Sequence, residues 1–350
     1  MNVRLSVVLT QRQDIILRII IKEHITSANP IASENIARQY PGKISSATIR
    51  NEMVHLEDQG YIMQPHHSAG RVPSDKGYLY YIQSLAGSAE LPLAEQHLIR
   101  HQFHQAKTDL EEWGKLAASV LSRTVQNVAV VALPKPVRSK FKHLELISIH
   151  ETIALLILVI EEAKIKQQMI YLAEETGQMT LSDMANKLSI AYTGLTTEEI
   201  KQVNIPLSDV ERQVAAVVVE RMQEEDHIDY DDIYIDGIRH FFDQPEFTLP
   251  QKLKDIIEII EAKSFLSSVL LQALIDDGIG IVVGKDIKED AMQDCSVIAS
   301  KYGIPGQMSG ALGVLGPTRM RYERTISAVR CLSGIMNEFL NDLYGQRRGR

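Results

Sequence analysis

The side chains best suited to chemistry lie in residues 45–74, SSATIRNEMVHLEDQGYIMQPHHSAGRVPS. Ile49, Met53 and Leu56 recur at i, i+4 and i+7, the spacing of one buried helical stripe, and Ser45 or Ser46 can cap the helix start. The opposite face then shows Ala47, Arg50, Asn51 and Val54, with His55 and Asp58 nearer its edge. Small, polar and basic side chains on one helix face suit a DNA major groove, where arginine pairs with guanine and asparagine with adenine. Gly60 stops the helix. A strand over 61–65, a tip over 66–70 and a return over 71–73 follow. Gly70 supplies the freedom a tight tip needs, and Arg71 at its root is placed for phosphate or a minor groove.

Other candidate chemistry is weaker. His66 and His67 alternate in direction along a strand and have no partner ligands nearby, so exposed hairpin residues explain them better than a metal. The glycines of YGIPGQMSGALGVLGPTR fit neither a P-loop nor a dinucleotide fingerprint, which leaves turns and close packing. Asp276, Asp277, Asp286, Glu289 and Asp290 have no ligand spacing and read as solvated loop charge. Cys295 sits among apolar residues as an inert thiol. No nucleophile stands at recognisable spacing from a base, so the chain does not read as an enzyme and calls for no cofactor and no metal.

Short helices must position the 45–74 stretch. Thr10 and Gln13 form a capping box before an apolar stripe of Ile15, Ile16, Ile19 and Ile20, and Ser33 caps a second helix. Pro41 and Gly42 break the chain before the third. Three helices and a hairpin make the order of a winged helix-turn-helix, a module that serves DNA binding and protein docking alike. Ser74 caps a further helix whose Tyr78, Tyr81 and Leu85 share one stripe, with Tyr80 off it. That stripe packs on the head or on a partner subunit.

At 350 residues, 45% of them hydrophobic, the chain has room for two or three cores. Its net charge of −8 is uneven: residues 1–82 carry nine Lys or Arg against seven Asp or Glu, the rest 28 against 38. An acidic body leaves nucleic-acid contact to the head. Two cysteines, no membrane-length apolar run and no signal-like start point to a cytoplasmic protein with no membrane association.

Along the body, Trp113 anchors a helical seam, and strands over 127–133, 144–150, 152–160 and 165–172 read as an antiparallel meander. Residues 174–226 turn helical, with Leu181, Met184 or Ala185 and Leu188 on one stripe and Val210, Val214, Val217 or Val218 and Met222 on another; such stripes need cover, and a second copy of the chain is the simplest source. Strands resume at 233–236, 278–284, 295–299 and 311–315 around long helices, one or two over 249–274 and one over 319–343.

Four motifs carry a specific resemblance: LTQRQDIILRIIIKEHI with its following NP, SSATIRNEMVHLEDQGYIMQPHHSAGRVPSDKGYLYYI, IYIDGIRHFFDQPEF, and DCSVIASKYGIPGQMSGALGVLGPTRMRYERTISAVRCLS. The chain resembles the HrcA family of bacterial heat-shock transcriptional repressors over nearly its whole length. The resemblance implies an α+β multidomain fold: an N-terminal winged helix-turn-helix, a GAF-like α/β sheet domain and an inserted helical-rich dimerisation domain. The expected divisions are a DNA-binding domain over 1–88, a linker helix over 89–124, a GAF-like domain over 125–172 and 229–350, and the insertion over 173–228. It also implies a homodimer that binds double-stranded DNA at an inverted-repeat operator upstream of chaperone genes, with the chaperonin as modulator. DNA contact would fall to Ser46, Ala47, Thr48, Arg50 and Asn51 in the helix and to His67, Ser68, Gly70 and Arg71 in the wing. Where relatives read PVGSRTL or a close variant this chain has PIASENI, so Ala32 replaces glycine and Glu34 a basic residue; a carboxylate there would repel a nearby phosphate, and weaker affinity or a shifted operator preference would follow. The alternative is a metabolite-sensing winged-helix regulator with its ligand pocket in the GAF-like domain.

Overall fold

The computed structural model describes residues 9–66, 69–85, 90–106, 109–160, 164–226, 232–275, 278–305 and 307–345. They form a mixed α+β chain of two compact units. Met1–Pro134, Tyr230–Gly303 and Gly310–Arg350 make the first; Lys135–Asp229 and Ile304–Ser309 make the second.

The first unit opens with α1 (Gln11–Ser27), α2 (Ser33–Gln39), α3 (Ser46–Asp58), a hairpin of β1 (Ile62–Met63) and β2 (Val72–Pro73), and α4 (Asp75–Ser84). The capping box is present at α1: Thr10 Oγ1 accepts from the Gln13 amide and Gln13 Oε1 from the Thr10 amide. The α1 stripe is turned by one position from the expected one, because Leu17 and Ile21 bury fully beside Ile16 and Ile20 while Ile15 and Ile19 bury only partly. Ser33 is the first residue of α2 rather than its cap; Ala32 holds the cap position and offers no side-chain acceptor. Tyr78, Tyr81 and Leu85 are buried as their spacing requires, and Ser74 caps α4 through the Gly77 amide.

Two helices, α5 (Leu93–Gln105) and α6 (Leu110–Val125), lead to β3 (Val128–Pro136). The chain then builds the second unit from β4 (Phe141–His150), β5 (Ile153–Ile160), β6 (Lys164–Tyr171), α7 (Gln178–Tyr192), α8 (Thr197–Gln202) and α9 (Asp209–Asp226). It returns to the first unit with β7 (Ile233–Asp236), α10 (Arg239–Phe242), α11 (Pro250–Glu261), α12 (Lys263–Ala273), β8 (Ile279–Val283), β9 (Cys295–Ile304), β10 (Met308–Pro317) and α13 (Tyr322–Gly345). The long helical stretch is thus two helices, parted where Ala262 takes φ −76° and ψ 91°. Trp113 of α6 and Phe103 of α5 both pack on Phe339 of α13, with ring centroids 5.4 and 5.8 Å apart, which makes the tryptophan the seam anchor.

The first unit's sheet has the order β7-β3-β10-β9-β8, so the two strands that flank the second unit in sequence lie side by side, antiparallel. The second unit has its own sheet, β4-β5-β6, antiparallel throughout, with Leu155 opposite Ile147 and Met169. This corrects the expected division after residue 172: only β3 enters the five-stranded sheet, and β4 to β6 belong with the helices that follow them. Local pattern does not separate these strands, because β3 and β5 are equally apolar; long-range pairing decides. It also corrects the expectation that the helical stripes await a second copy. Leu181, Leu188, Val214, Val218 and Met222 share one core with Leu144, Leu146, Leu156 and Leu158 of the strands. Among the described residues no helix is long and apolar enough to cross a membrane.

Candidate nucleic-acid interface

The third helix presents a single open face. Ser45 caps it by accepting from the Thr48 amide at 3.1 Å, and Thr48 Oγ1 lies 2.9 Å from Ser45 Oγ, which ties the Thr48 hydroxyl to the cap. Ile49, Met53 and Leu56 are buried. Gly60 ends the helix at φ +76°, a left-handed conformation that glycine adopts without strain, and the Tyr61 amide returns to the Leu56 carbonyl at 2.9 Å. Ala47, Arg50, Asn51, Val54, His55 and Asp58 are all exposed, while Ser46 and Thr48 are half-buried. Glu52 braces the helix from behind: its two oxygens accept from Arg12 Nη1 and Gln13 Nε2 of α1, each at 3.1 Å. A helix held this firmly loses little backbone freedom on binding.

The hairpin beside it pairs Ile62 with Pro73 and Met63 with Val72, and Ile31 adds a bridge to Arg71 through two hydrogen bonds of 2.9 Å. That bridge redefines Gly70. Its φ is not in the left-handed region, so a tip turn does not require glycine; instead a Cβ here would sit 2.3 Å from the Ile31 carbonyl oxygen. Gly70 is there to let two backbones approach. Gln64 Nε2 donates to the Ala69 carbonyl at 3.0 Å across the hairpin. His66 is exposed; His67 and Ser68 lie outside the described residues.

Arg71 does not stand free. Its Nη2 and Nε lie 2.7 and 2.8 Å from Glu57 Oε2, and its side chain is only 17% exposed. A partly buried charge-assisted pair of this kind clamps the hairpin root to the last turn of α3. Glu57 is the residue that sequence reasoning missed. The signal was available: Glu57 lies in the helix turn just before Gly60, where the chain folds the hairpin back. Glu34 lies where a groove of about 330 Å³ opens between Ser33, Arg50, Gln64 and Gly70, and its Oε1 is 3.4 Å from Arg50 Nη2. With both side chains more than half exposed, that contact contributes little and leaves Arg50 available. Arg38 and Lys43, exposed on α2 and in the loop before α3, add positive charge that the sequence argument did not single out.

Elsewhere the candidate chemistry resolves into packing. A Cβ on Gly310, Gly313 or Gly316 would lie 2.3–2.7 Å from Tyr302, Leu270 or Asn127, so these glycines are close-packing positions. Burial pushes the Cys295 thiol far above its ordinary range, which keeps it protonated and unreactive. Among the described residues no three His, Cys, Asp or Glu side chains gather to hold a metal ion.

A family model described as the HrcA protein C terminal domain matches residues 111–326. The heat-inducible transcription repressor HrcA of Dehalococcoides mccartyi (strain ATCC BAA-2266 / KCTC 15142 / 195) is 40% identical over 341 residues, which covers 97% of this chain and 99% of that one. Its counterpart in Herpetosiphon aurantiacus is 39% identical over 348 residues, with 97% and 98% covered. Among solved structures, a crystal structure described only as that of a hypothetical protein shares 22% identity at a TM-score of 0.61, over 96% of this chain and 99% of that one, a likeness of fold alone.

Proposed function

This chain belongs to the HrcA family of heat-inducible transcription repressors, which are regulators and not enzymes, and from that premise we propose that it represses chaperone genes by binding an inverted-repeat operator as a homodimer. The observation that carries the reading is the open face of α3, where Arg50 and Asn51 stand exposed on a helix whose other side is fully buried and braced. In this reading residues 10–85 are a winged helix-turn-helix and α3 is its recognition helix. Arg50 and Asn51 reach base edges, Ala47 leaves room for a thymine methyl, and Ser46 faces the phosphate at the helix N-terminus. Arg71 acts one step back, by fixing the wing.

The five-stranded sheet with its flanking helices is the GAF-like domain, and the second unit is the inserted dimerising domain. The dimer is supported by the outer face of β4-β5-β6. There Ile147, Ile149, Ile165, Met169 and Tyr171 are exposed, with Ile153, Leu155, Ile157 and Val159 half-exposed between them. A contiguous apolar sheet face of this size marks a protein contact. Two copies related by a two-fold axis present two recognition helices, which is why the operator is an inverted repeat. The chaperonin enters as the modulator that keeps the repressor competent.

Footprinting on DNA upstream of chaperonin genes, at fixed salt and with or without purified chaperonin, tests the reading. Two protected half-sites related by inversion, strengthened by chaperonin, are expected. Protection of a single unsymmetrical patch, or none at any protein concentration that spares random DNA, would overturn it.

A further inference from the structure

We propose that Arg319 is a positioning residue that sets the direction of α3 relative to the five-stranded sheet, and so the spacing of the two recognition helices in the dimer. The proposal rests on the dimeric operator-binding reading above. Arg319 lies between β10 and α13, and its side chain is only 13% exposed. Its guanidinium meets both oxygens of Glu246, through Nε and Nη2, and Nη2 also donates to Gln244 Oε1 at 2.8 Å. A fork held on a carboxylate in this way cannot rotate. Its remaining nitrogen, Nη1, donates to the Ile25 carbonyl at 3.3 Å. That carbonyl belongs to the last turn of α1, where backbone acceptors lack a partner within the helix. One planar group thus joins the segment after β10 and the turn at Pro245–Phe247 to the end of α1.

The surroundings make this a fixed seam rather than a chance touch. One residue before Ile25, His24 Nδ1 lies 2.7 Å from the Tyr78 hydroxyl. Tyr78 packs on Tyr322 with centroids 5.8 Å apart, and the Tyr322 hydroxyl donates to the Thr318 carbonyl at 2.6 Å, beside Arg319. At the start of α4, Asp75 Oδ2 accepts from the Lys285 amide at 3.2 Å, and a Cβ on Gly284, whose φ is +56°, would lie 2.3 Å from Asp75 Oδ1. Both α1 and α4 are therefore pinned, and α1 carries α3 with it through Glu52. The guanidinium is the member of the seam whose geometry only arginine supplies. A lysine keeps the charge opposite Glu246 but cannot reach Glu246, Gln244 and Ile25 at fixed angles.

The test uses full-length protein with Arg319→Lys, and with the charge-neutral pair Arg319→Gln and Glu246→Gln in case the lysine variant folds poorly. Affinity is measured at one salt concentration for a duplex with the full inverted repeat and for a duplex with one half-site. Loss of helix direction leaves each head able to bind alone but removes the gain from binding both, so full-site affinity is expected to fall about 10-fold or more while half-site affinity stays within about twofold. Equal losses on both duplexes would show that Arg319 only holds the fold, and unchanged affinities would show that it sets nothing; either overturns the proposal. A wild-type protein that binds the two duplexes alike would overturn the dimeric reading itself, an outcome visible before any variant is made.

Discussion

Two sheets in this chain have opposite fates. In the five-stranded sheet, β9 and β10 are buried along nearly their whole length on both faces, and glycines at 310, 313 and 316 admit neighbours too close for any other residue. In the three-stranded sheet, β5 alternates strictly between buried and half-exposed, and the half-exposed side is as apolar as the buried one. The centre of the first sheet is a completed interior. The second is complete on one face and has on the other an apolar surface without cover from the described chain. Burial on both faces makes a platform on which helices are fixed; a bare apolar face makes a joint. In the proposed dimer the first would carry the reading heads and the second would join the two copies.

That contrast predicts what charge does in each place. Ile298→Asp, in the middle of β9, leaves a carboxylate buried with no partner; a loss above about 4 kcal/mol is expected, read as absence of a cooperative denaturant transition. The paired change Leu155→Lys and Met169→Lys on the outer face of β5 and β6 is expected to keep a cooperative transition while raising the dimer dissociation constant about 100-fold or more, measured by sedimentation, because two charges would be buried unpaired in the contact. A dimer of unchanged affinity would end the comparison.

Glycine substitutions sharpen it on a smaller scale. Gly316→Ala would set a methyl 2.3 Å from Asn127 Oδ1 and is expected to destabilise by about 1–3 kcal/mol. Gly334→Ala, within α13 and with open space around it, is expected to stabilise by about 0.5–1 kcal/mol. Urea titrations of both variants decide whether close packing or composition explains the glycines.

The smallest effect concerns pH. Burial, and then the Arg319 charge, hold the His24 imidazole below its ordinary pKa, so the folded state resists a proton that the unfolded chain accepts. Stability from this group is present above about pH 6.5 and is lost as pH falls below that value through the lowered one. His24→Gln is expected to flatten the dependence of melting temperature on pH between about 7 and 5. An unchanged slope would mean that the seam at α1 is wetter than its burial shows.

Much of the head was legible in the sequence because its determinants are local. Caps at Thr10, Ser45 and Ser74, the stop at Gly60 and the stripe of Ile49, Met53 and Leu56 each depend on residues within a few positions of one another. The glycine run after Cys295 was legible by elimination, since no phosphate-binding spacing fitted it. What escaped was long-range. Whether β4 joins β3 or forms a sheet of its own is a matter of pairing, to which both apolar patterns are indifferent. Arg71 looks like a free cation until the hairpin folds over Glu57, and Gly70 looks like a turn residue until Ile31 arrives from nearly 40 positions away. The open face of α3 was visible early because nothing in the described structure covers it.

The most direct measurement is the ratio of affinities of the Arg50→Ala protein for the inverted-repeat operator and for random duplex at one salt concentration. If α3 reads bases through Arg50, that ratio falls by about 10- to 100-fold per half-site, the discrimination carried by one bidentate arginine–guanine contact. A ratio equal to that of the wild-type protein would contradict the assignment of α3 as the reading helix.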